Sequence, residues 1–575
     1  MKTRVIVLII GLFVVGAAGA FAQENVRFEA IARDAARRFE EARLADGQTR
    51  PTVVPQPPPA RVDLTVDDAT ERALERNLDI AVERLNPQGF DFSISALRSI
   101  YRPTLTSQFG LRSQSQFSRS QIQGGDIITS ETFTGNTGVT QNVPWGGGAL
   151  SVTFNNNRLS QSDQFAIRNP TLNTSFNATL VQPLMRGFRI DGTRSQLVVT
   201  QLNQEISEIA LRGTIIATLA NVRNAYWDLV YAIQFTDVAQ RSLALATKLV
   251  EDNRARVEVG TMAPIDVVQA QSEEALRRQT VVQAEGTRRT AELALKRLLV
   301  SGTEDPLWGA TLNPVDRPSF SPERLDVEAG VRRALENRTD LQQSRRQLQT
   351  NDVTLRSLRD QRLPALDLTA GYGASGIGGP QIIRGSGLGG QVLDTIPGGF
   401  NDALRTLTNL NAPVWNLALN LSYPIGTSAA EANFARARLQ QQQTVAEMKQ
   451  LELQIATEVT NSALQADTGL TRYEAALASR EFAQKRLDAE QSKFEVGIST
   501  NFFVVQAQRD LADAQNAELR ALLDYRKALV DFQRVQEAPA GGRTGGSITT
   551  VSGGGGGAAT TAVRTGGGGA GGQGF

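Results

Sequence analysis

Histidine and cysteine are both absent from this chain of 575 residues. Their absence excludes an imidazole general base, a Ser-His-Asp or Cys-His nucleophile and the usual zinc sites. Paired carboxylates can still catalyse, but the sequence contains no glycine-rich phosphate loop and no pair of acidic residues in a recognisable cleft motif. We therefore predict that the protein is not an enzyme and that it holds neither a metal ion nor an organic cofactor.

Charge of one sign and long apolar runs are also scarce. Lys and Arg number 60 against 59 Asp and Glu, which provides no overall basic field for a nucleic acid partner. Beyond the N-terminus, no stretch of about 18 apolar residues predicts a transmembrane helix.

The main apolar run lies at the N-terminus, from Val5 to Gly19. Lys2 and Arg4 precede it, and Ala20-Phe21-Ala22 follows it in the small-x-small form of a cleavage site. This pattern is typical of a secretory signal peptide over residues 1–22, with an N-terminal membrane anchor as the alternative. We therefore expect the mature chain to work outside the cytoplasm.

Both ends of the chain are poor in residues that form a core. Residues 23–61 contain the proline-rich stretch PTVVPQPPP at 51–59, which predicts an extended linker. Residues 537–575 are mainly Gly, Ser, Thr and Ala, which predicts a disordered tail. We assign no function to either segment.

The part of the chain between these ends is a duplication. Residues 64–80 (LTVDDATERALERNLDI) match 325–341 (LDVEAGVRRALENRTDL), and 258–271 (EVGTMAPIDVVQAQ) match 495–508 (EVGISTNFFVVQAQ). The first pair is offset by 261 residues and the second by 237, so the first half carries extra residues between these anchors. The expected domains are a first repeat at 62–300, a linker at 301–322 and a second repeat at 323–536.

Each half contains segments in which apolar and polar residues alternate, as in a strand with one apolar face. The segments cover residues 103–112, 172–181, 365–373 and 415–425. Each has about 9–11 residues, enough for a tilted strand to cross a bilayer. A barrel wall and a half-buried sandwich strand produce the same alternation, so the pattern alone favours neither.

The aromatic residues favour the barrel. Trp and Tyr number only 4 and 7, and several lie at or near strand ends, where membrane-interface girdles form. The predicted interface residues are Tyr101, Trp145, Tyr372, Trp415 and Tyr423. Residues 133–143 and 149–155 predict a further hairpin, which either extends the barrel or lies outside it.

Two unusually long helices are predicted, one in each half. The first runs from Thr193, a suitable N-cap, to Val259, and the second from about Ala429 to Val496. They extend for about 98 and 102 Å, lengths typical of coiled coils and bundles. Shorter leading helices are expected at 65–100 and 325–361, and returning helices at 264–299 and 501–536. We expect Pro87 to kink the first leading helix.

These elements carry a family resemblance. The openings LTVDDATERAL and LDVEAGVRRAL, the turns VGTMAPIDVVQAQ and VGISTNFFVVQAQ, and the strand exits LVQPL and LSYPI resemble outer membrane efflux proteins of the TolC family. The resemblance implies a mainly α fold with membrane β-strands: a homotrimer with an outer-membrane β-barrel and a long α-helical barrel across the periplasm. It also implies an adaptor protein in the periplasm, an inner-membrane pump or ABC exporter, and outer-membrane lipid as partners.

The turns at the ends of the long helices form the tips of helical hairpins. Gly260 and Gly497 suit a left-handed position after a helix, Pro264 and Asp266 suit the first turn of the next helix, and Thr500 suits an N-cap. Turn formation and capping alone explain these glycines and the proline, and they are also the simpler explanation of Asp266. The tips lie at the opposite end of the rods from the strands.

In the TolC family, which this chain resembles, such tips form the periplasmic entrance and the adaptor docking surface. The implied docking residues are Gly260, Thr261, Met262, Asp266, Gly497, Ser499, Asn501 and Phe502. The candidate pore constriction comprises Phe503, Gln506 and Asp266, of which only Asp266 is acidic. Phe503 either gates the pore by dewetting or packs between neighbouring helices.

We therefore expect an outer-membrane channel subunit of a tripartite efflux or type I secretion system, which is a passive export duct. The alternative is an extended periplasmic coiled-coil protein without a pore, which has a structural or interaction role. The two differ in one simple property, because a duct stays with outer membranes whereas a periplasmic rod is released by osmotic shock.

Overall fold

A computed structural model describes residues 61–118, 127–163, 166–317, 322, 325–386, 390–426 and 428–539. The predicted signal peptide, the N-terminal segment before residue 61 and the predicted tail after residue 539 lie outside the described residues. The chain divides into a small unit, which contains 302–313 and the segment up to Leu64, and a large unit, which contains the other residues.

In both halves a pair of leading helices comes first, strands follow, and a long helix and a returning helix come last. The first half contains β1 (Val62–Leu64), α1 (Val66–Arg76), α2 (Leu78–Ser99), β2 (Thr104–Phe117), β3 (Ile127–Asn142), β4 (Ala149–Gln161), β5 (Thr171–Pro183), α3 (Gly192–Glu258) and α4 (Pro264–Leu299). Between the halves lie α5 (Pro306–Gly309) and β6 (Leu312–Pro314), and β6 pairs with β1. The second half contains α6 (Val327–Asn337), α7 (Thr339–Gln361), β7 (Ala365–Gly378), β8 (Gln381–Arg384), β9 (Val392–Ile396), α8 (Phe400–Thr408), β10 (Pro413–Ser422), α9 (Ala429–Glu495) and α10 (Asn501–Val535).

The long helices α3 and α9 have 67 residues each and extend for roughly 100 Å. The expectation that Thr193 caps α3 was wrong. The N-cap is Asp191, whose carboxylate accepts a hydrogen bond from the Arg194 N–H at 2.7 Å and also favours the positive end of the helix dipole. Ser428 caps α9 in the same way, accepting from the Glu431 N–H at 3.2 Å.

Each leading helix is interrupted near its start, and the expected kink at Pro87 stays a prediction. The break lies at Asn77 in the first half and at Arg338 in the second, where ψ of 127° and 128° takes the backbone out of the helix. Pro87 instead lies inside α2. Because Glu83, whose carbonyl loses its donor, is partly exposed, water can replace the hydrogen bond that proline cannot make.

The long helices pack against the shorter ones along their length. In the large unit α3 contacts α2, α4, α7 and α10, and α9 contacts α6, α7 and α10. One core cluster of the second half comprises Ala334, Leu341, Ile455, Val459, Ala463, Phe532 and Val535. Within the described ranges, no helix combines the length and the apolar composition that a membrane span requires.

The strands form a six-stranded antiparallel sheet in the order β10-β7-β5-β4-β3-β2. The further hairpin predicted near residues 133–155 forms β3 and β4 and belongs to this sheet. The main sheet of the described residues therefore has six strands, and its edge strands are β2 and β10. Five of the six strands are longer than predicted, because alternation becomes irregular where polar residues occupy both faces beyond the apolar segment, whereas β10 ends at Ser422, before the predicted end at residue 425.

The register aligns the side chains of all six strands into two faces. The apolar face carries Leu105, Phe109, Leu111, Phe133, Val139, Leu150, Val152, Phe154, Leu172, Phe176, Leu180, Leu366, Leu368, Tyr372, Trp415, Leu417, Leu419 and Leu421. The polar face carries Thr106, Gln108, Thr134, Asn136, Thr153, Asn155, Asn173, Asn177, Thr369, Asn416 and Asn420. One sheet therefore presents an apolar surface on one side and a hydrogen-bonding surface on the other.

Candidate functional site at the helical hairpin tips

Each long helix ends in a turn that reverses the chain into a returning helix. In the first turn the Gly260 N–H donates to the Val257 carbonyl and the Thr261 N–H donates to the Arg256 carbonyl, both at 2.9 Å. The same pair of bonds, a Schellman motif, forms around Gly497. With φ of +76° and +79°, both glycines adopt the left-handed conformation that the sequence predicts.

The returning helices begin differently in the two halves. Pro264 is the first residue of α4 and Asp266 the third, as predicted. Thr500 does occupy the N-cap position of α10, but the expectation that its side chain caps the helix was wrong. The Phe503 N–H instead donates to the Thr500 backbone carbonyl at 3.1 Å.

The first link between the two hairpins is a chain of amide hydrogen bonds. The Asn253 Nδ2 on α3 donates to the Asn501 Oδ1 on α10 at 3.1 Å. The Asn501 Nδ2 then donates to the Asp266 backbone carbonyl on α4 at 3.3 Å. Asn501 is only 2% exposed, so it connects the hairpins inside the tip, and its role in docking stays a prediction.

The second link is an ionic cluster whose carboxylate is buried. Glu273 on α4 has a side chain that is 2% exposed, and its carboxylate accepts from the Arg509 Nε on α10 at 2.9 Å and from the Arg277 Nε at 2.7 Å. Burial alone raises the pKa of Glu273, but the hydrogen bonds and charges of the two arginines outweigh it and lower the pKa below its usual value. The cluster is therefore ionised at neutral pH and joins the first hairpin to the second.

The third link is formed by Arg256 at the end of α3. Its guanidinium lies 4.5 Å from the centre of the Phe494 ring on α9 and donates to the Phe494 carbonyl at 3.4 Å. Met262, a predicted docking residue, packs half-buried against a cluster that includes Phe494 and Val504. We call the contacts Asn253–Asn501, Glu273–Arg509 and Arg256–Phe494 the hairpin links.

Apolar side chains are exposed at the outer surface of the tips. The exposed residues are Val259, Ile265, Val268, Val496, Ile498, Phe502 and Phe503. Phe502 and Phe503 are 54% and 50% exposed, and their rings make an edge contact with centres 5.6 Å apart. Gln506 lies one turn after Phe503 and donates to the Asp510 carboxylate at 2.8 Å.

The remaining predicted tip residues divide between exposed and internally bonded positions. Gly260, Thr261 and Gly497 are exposed. The Ser499 hydroxyl donates to the Glu490 carboxylate at 2.8 Å. The hydrogen bond from Lys493, with that from Ser499, lowers the pKa of Glu490. Because Glu490 and Lys493 both belong to α9, the Ser499 bond is the one that holds the second turn close to α9.

The sequence interpretation missed Asn253, Glu273 and Arg509. A signal for two of them was present, because each lies on a helix face that is otherwise apolar or small. Asn253 follows Leu249 by four residues, and Glu273 follows Ala270 by three, and all four are buried. A polar residue at such a position needs a buried partner, although the sequence does not identify that partner.

The predicted interface aromatics lie at two levels of the sheet. Trp415 and Tyr372 are cross-strand partners on the apolar face. Tyr101, Trp145 and Tyr423 lie outside the strands, at the end of the sheet that adjoins the helices. Trp415 and Tyr423 are separated by eight residues, or about 27 Å along a strand. A strand tilt of about 40° reduces this to a height of about 21 Å, which is near the height of about 25 Å of an outer-membrane apolar band.

A sequence model of the family described as "Outer membrane efflux protein" matches residues 69–300 and 330–535. The two matched stretches correspond to the two halves of the chain. Among curated protein sequences, none matches this chain significantly.

Solved structures of outer membrane channels have a similar fold. CusC is 16% identical, with a TM-score of 0.59 over 83% of this chain and 93% of that one. The Campylobacter jejuni channel CmeC is 14% identical, with a TM-score of 0.58 over 82% and 85% of the two chains. The Vibrio cholerae outer membrane protein VceC is 14% identical, with a TM-score of 0.57 over 82% and 96%.

Proposed function

Because the chain belongs to the outer membrane efflux protein family, we propose that three copies of this outer membrane channel subunit form one passive export duct across the periplasm. The duct receives its cargo from an inner-membrane pump or ABC exporter through a periplasmic adaptor protein, in a tripartite efflux or type I secretion system. The observation that supports this best is a two-faced sheet joined to paired rods of roughly 100 Å.

The two faces of the sheet suit a barrel in a membrane. The apolar face meets lipid, and the Thr, Asn and Gln side chains of the polar face line a water-filled interior. The edge strands β2 and β10 have backbone groups on one side that pair with no strand of the described chain. Pairing β2 of one copy with β10 of the next satisfies them, as lipid requires. Three copies then close eighteen strands, a number that leaves an aqueous channel.

The rods suit a tunnel wall. In each half, a leading helix pair and a returning helix together match the length of one long helix, so each copy supplies four rods at any height. Three copies supply twelve rods around one lumen. A matched length is needed because a shorter rod leaves a gap in the wall.

The tips suit an entrance that is closed at rest. The hairpin links hold α3 and α4 against α9 and α10, so separation of the two hairpins requires that these contacts break. We assign adaptor docking to Gly260, Thr261, Met262, Gly497, Ser499 and Phe502, with the Asp266 carboxylate beside them. Phe503, Gln506 and Asp266 form the constriction, in which Phe503 excludes water.

The duct is tested by the oligomer mass in detergent together with single-channel conductance in planar bilayers. We expect a mass of three copies and a small closed-state conductance. Material that is monomeric, that dissolves without detergent and that never conducts would exclude a duct and would support the periplasmic rod.

The constriction is tested separately with Phe503→Ala and the matched control Phe502→Ala, since the two rings are adjacent and about equally exposed. We expect Phe503→Ala to raise the closed-state conductance severalfold and Phe502→Ala to leave it unchanged. Equal conductance in both variants and the parent protein would remove Phe503 from the constriction while leaving the duct intact.

A further inference from the structure

The chain makes a long excursion between β7 and β10, at the end of the sheet farthest from the helices. This excursion contains β8, β9 and α8. β7 begins at Ala365, directly after α7, and ends at Gly378, so an element that contacts its last residues lies near the distal rim. No part of the proposed export function accounts for it.

Helix α8 lies directly on the sheet, and glycines make that possible. A Cβ atom added to Gly376 would lie 2.0 Å from the Ala403 carbonyl oxygen, and one added to Gly378 would lie 2.3 Å from the Gly399 carbonyl oxygen. Both glycines lie on the same face of β7 as Tyr372, which is the apolar face. The helix is therefore seated on the apolar side of the sheet and not over its polar side.

The level of α8 on that face is set by the register. Tyr372 pairs with Trp415 on that face, and Gly376 lies four residues beyond Tyr372, or about 13 Å along the strand. The cross-strand row of Gly376 carries Thr174, Asn156 and Phe109, and the row of Gly378 still carries Leu172, Phe133 and Leu111. The next row of the same face carries Ser113, Glu131 and Ser160. Helix α8 thus lies over the last apolar rows, beside the row in which the face becomes polar.

The surface of α8 is itself divided. Ala403 and Leu407 contact the sheet and are 0% and 7% exposed. Phe400 and Leu404 adjoin them on the same apolar stripe, but they remain 45% and 38% exposed. At 100° per residue, the opposite side carries Asn401, Asp402 and Arg405. A short helix with an apolar stripe and a polar back is typical of elements that lie in a membrane interface.

We propose that α8 lies flat on the outside of the sheet in the outer leaflet of the membrane, with Phe400 and Leu404 in lipid at the boundary between headgroups and acyl chains. The partner of this surface is lipid, because the surface continues the apolar face of the sheet and lies at its polar margin. The proposal rests on the proposed function, which puts the apolar face in lipid. It adds an interfacial collar to each copy, which sets the depth of the sheet in the bilayer.

The absence of cysteine allows a direct test in the full-length protein. Leu404→Cys, Asn401→Cys and Leu417→Cys are each labelled with an environment-sensitive fluorophore and reconstituted into phosphatidylcholine vesicles. Leu417 lies on the apolar face and reports whether the sheet itself is in lipid. We expect brominated lipid to quench most of the emission at positions 404 and 417, and aqueous iodide to quench the label at position 401 alone.

The outcomes separate this proposal from the proposed function. If position 417 is quenched by brominated lipid but position 404 is quenched by iodide, α8 stands in water and the proposal is wrong. If position 404 resists both quenchers, a neighbouring copy covers α8, and the proposal is equally wrong. If position 417 also escapes the brominated lipid, the proposed function fails as well.

A second pair of variants tests the contact between α8 and the sheet without changing the sequence of α8. Gly376→Ala is expected to displace α8 and to abolish the lipid quenching at position 404. Gly135→Ala is the control, because an added Cβ there lies on the same face and meets no atom closer than 3.5 Å. Equal lipid quenching in both variants would mean that the glycine contact does not hold α8 in lipid.

Discussion

The two halves of the chain use different side chains to donate a hydrogen bond to the same buried carbonyl position. The leading helix of each half is interrupted at an equivalent residue, which is Asn77 in the first half and Arg338 in the second. Both residues donate to a carbonyl at the end of the returning helix. Asn77 reaches the Leu298 carbonyl at 3.0 Å, and Arg338 reaches the Val535 carbonyl at 3.4 Å.

The difference between them lies in what else each side chain does. Asn77 also caps α2, because its Oδ1 accepts from the N–H groups of Asp79 at 2.9 Å and Ile80 at 3.2 Å. Arg338 cannot accept, and it instead donates to Asp340 at 3.1 Å and to Glu458. The shared requirement is the buried carbonyl at the end of the returning helix, and either kind of donor meets it.

The largest expected effect comes from Arg338→Ala compared with Asn77→Ala. Arg338 is fully buried, so its removal takes the positive charge away from two carboxylates and a donor away from a carbonyl, at a cost of about 3–5 kcal/mol. Asn77→Ala removes a cap and one further bond, at a cost of about 1–2 kcal/mol. Thermal unfolding of the detergent-solubilised protein measures both. Equal shifts in the unfolding midpoint would contradict the comparison.

A smaller effect is expected at a helix contact where the second half has a smaller residue on one helix and a larger one on the other than the first half has. Gly330 in the second half corresponds to Ala69 in the first, and Phe532 corresponds to Leu295. A Cβ on Gly330 would lie 3.0 Å from the Phe532 ring, so we expect Gly330→Ala to cost about 1–3 kcal/mol. The double variant Gly330→Ala with Phe532→Leu reproduces the first-half combination and should recover part of this loss in the same unfolding measurement. If the double variant loses more free energy of unfolding than the two single variants lose together, the two side chains do not compensate for each other.

The smallest expected effect concerns the tips and is a change in opening rather than in folding. Glu273 on the first returning helix corresponds to Asp510 on the second, but Glu273 is buried whereas Asp510 is partly exposed. Glu273→Gln weakens one hairpin link by about 1.4 kcal/mol, which corresponds to roughly tenfold more frequent opening in single-channel records. Asp510→Asn is the matched control, and we expect little change. Similar opening in both variants would exclude a special role of the buried carboxylate.

The same link predicts the direction of a pH effect. The pKa of Glu273 is lowered in the linked state, so the carboxylate stabilises the link at pH values above that of a free glutamate, near 4.3. This stabilisation is lost as the pH falls through the lower value of the linked state. Acidification below about pH 4 should therefore increase the opening of the parent channel more than that of Glu273→Gln.

The periodic parts of the fold were predictable from the sequence. The ends of α4 and α10 and the turns at Gly260 and Gly497 follow from local rules of capping and conformational freedom, which act over a few residues. The alternation in β10 predicts a strand because successive side chains point to opposite faces. The two halves were recognisable because the same local signals recur in the same order.

The contacts between distant segments were not predictable in this way. Pro87 is the stronger local helix breaker, but the interruption lies at Asn77, because the Leu298 carbonyl 221 residues away needs a donor. The pairing of Asn253 with Asn501 spans 248 residues, and neither side chain identifies the other. The membership of β3 and β4 in the main sheet also depends on pairing with β2 and β5, which their own alternation does not specify.

The sequence by itself determined which segments are rods, which are strands and where each rod turns back, because those properties depend on neighbours a few residues away. Only the tertiary structure decided that six strands share one register with one apolar face, that buried amides and a buried carboxylate join the two tips, and that α8 lies on the apolar side of the sheet. These depend on which distant backbone and side-chain groups must satisfy each other once water is removed, and that condition is met in three dimensions rather than along the chain.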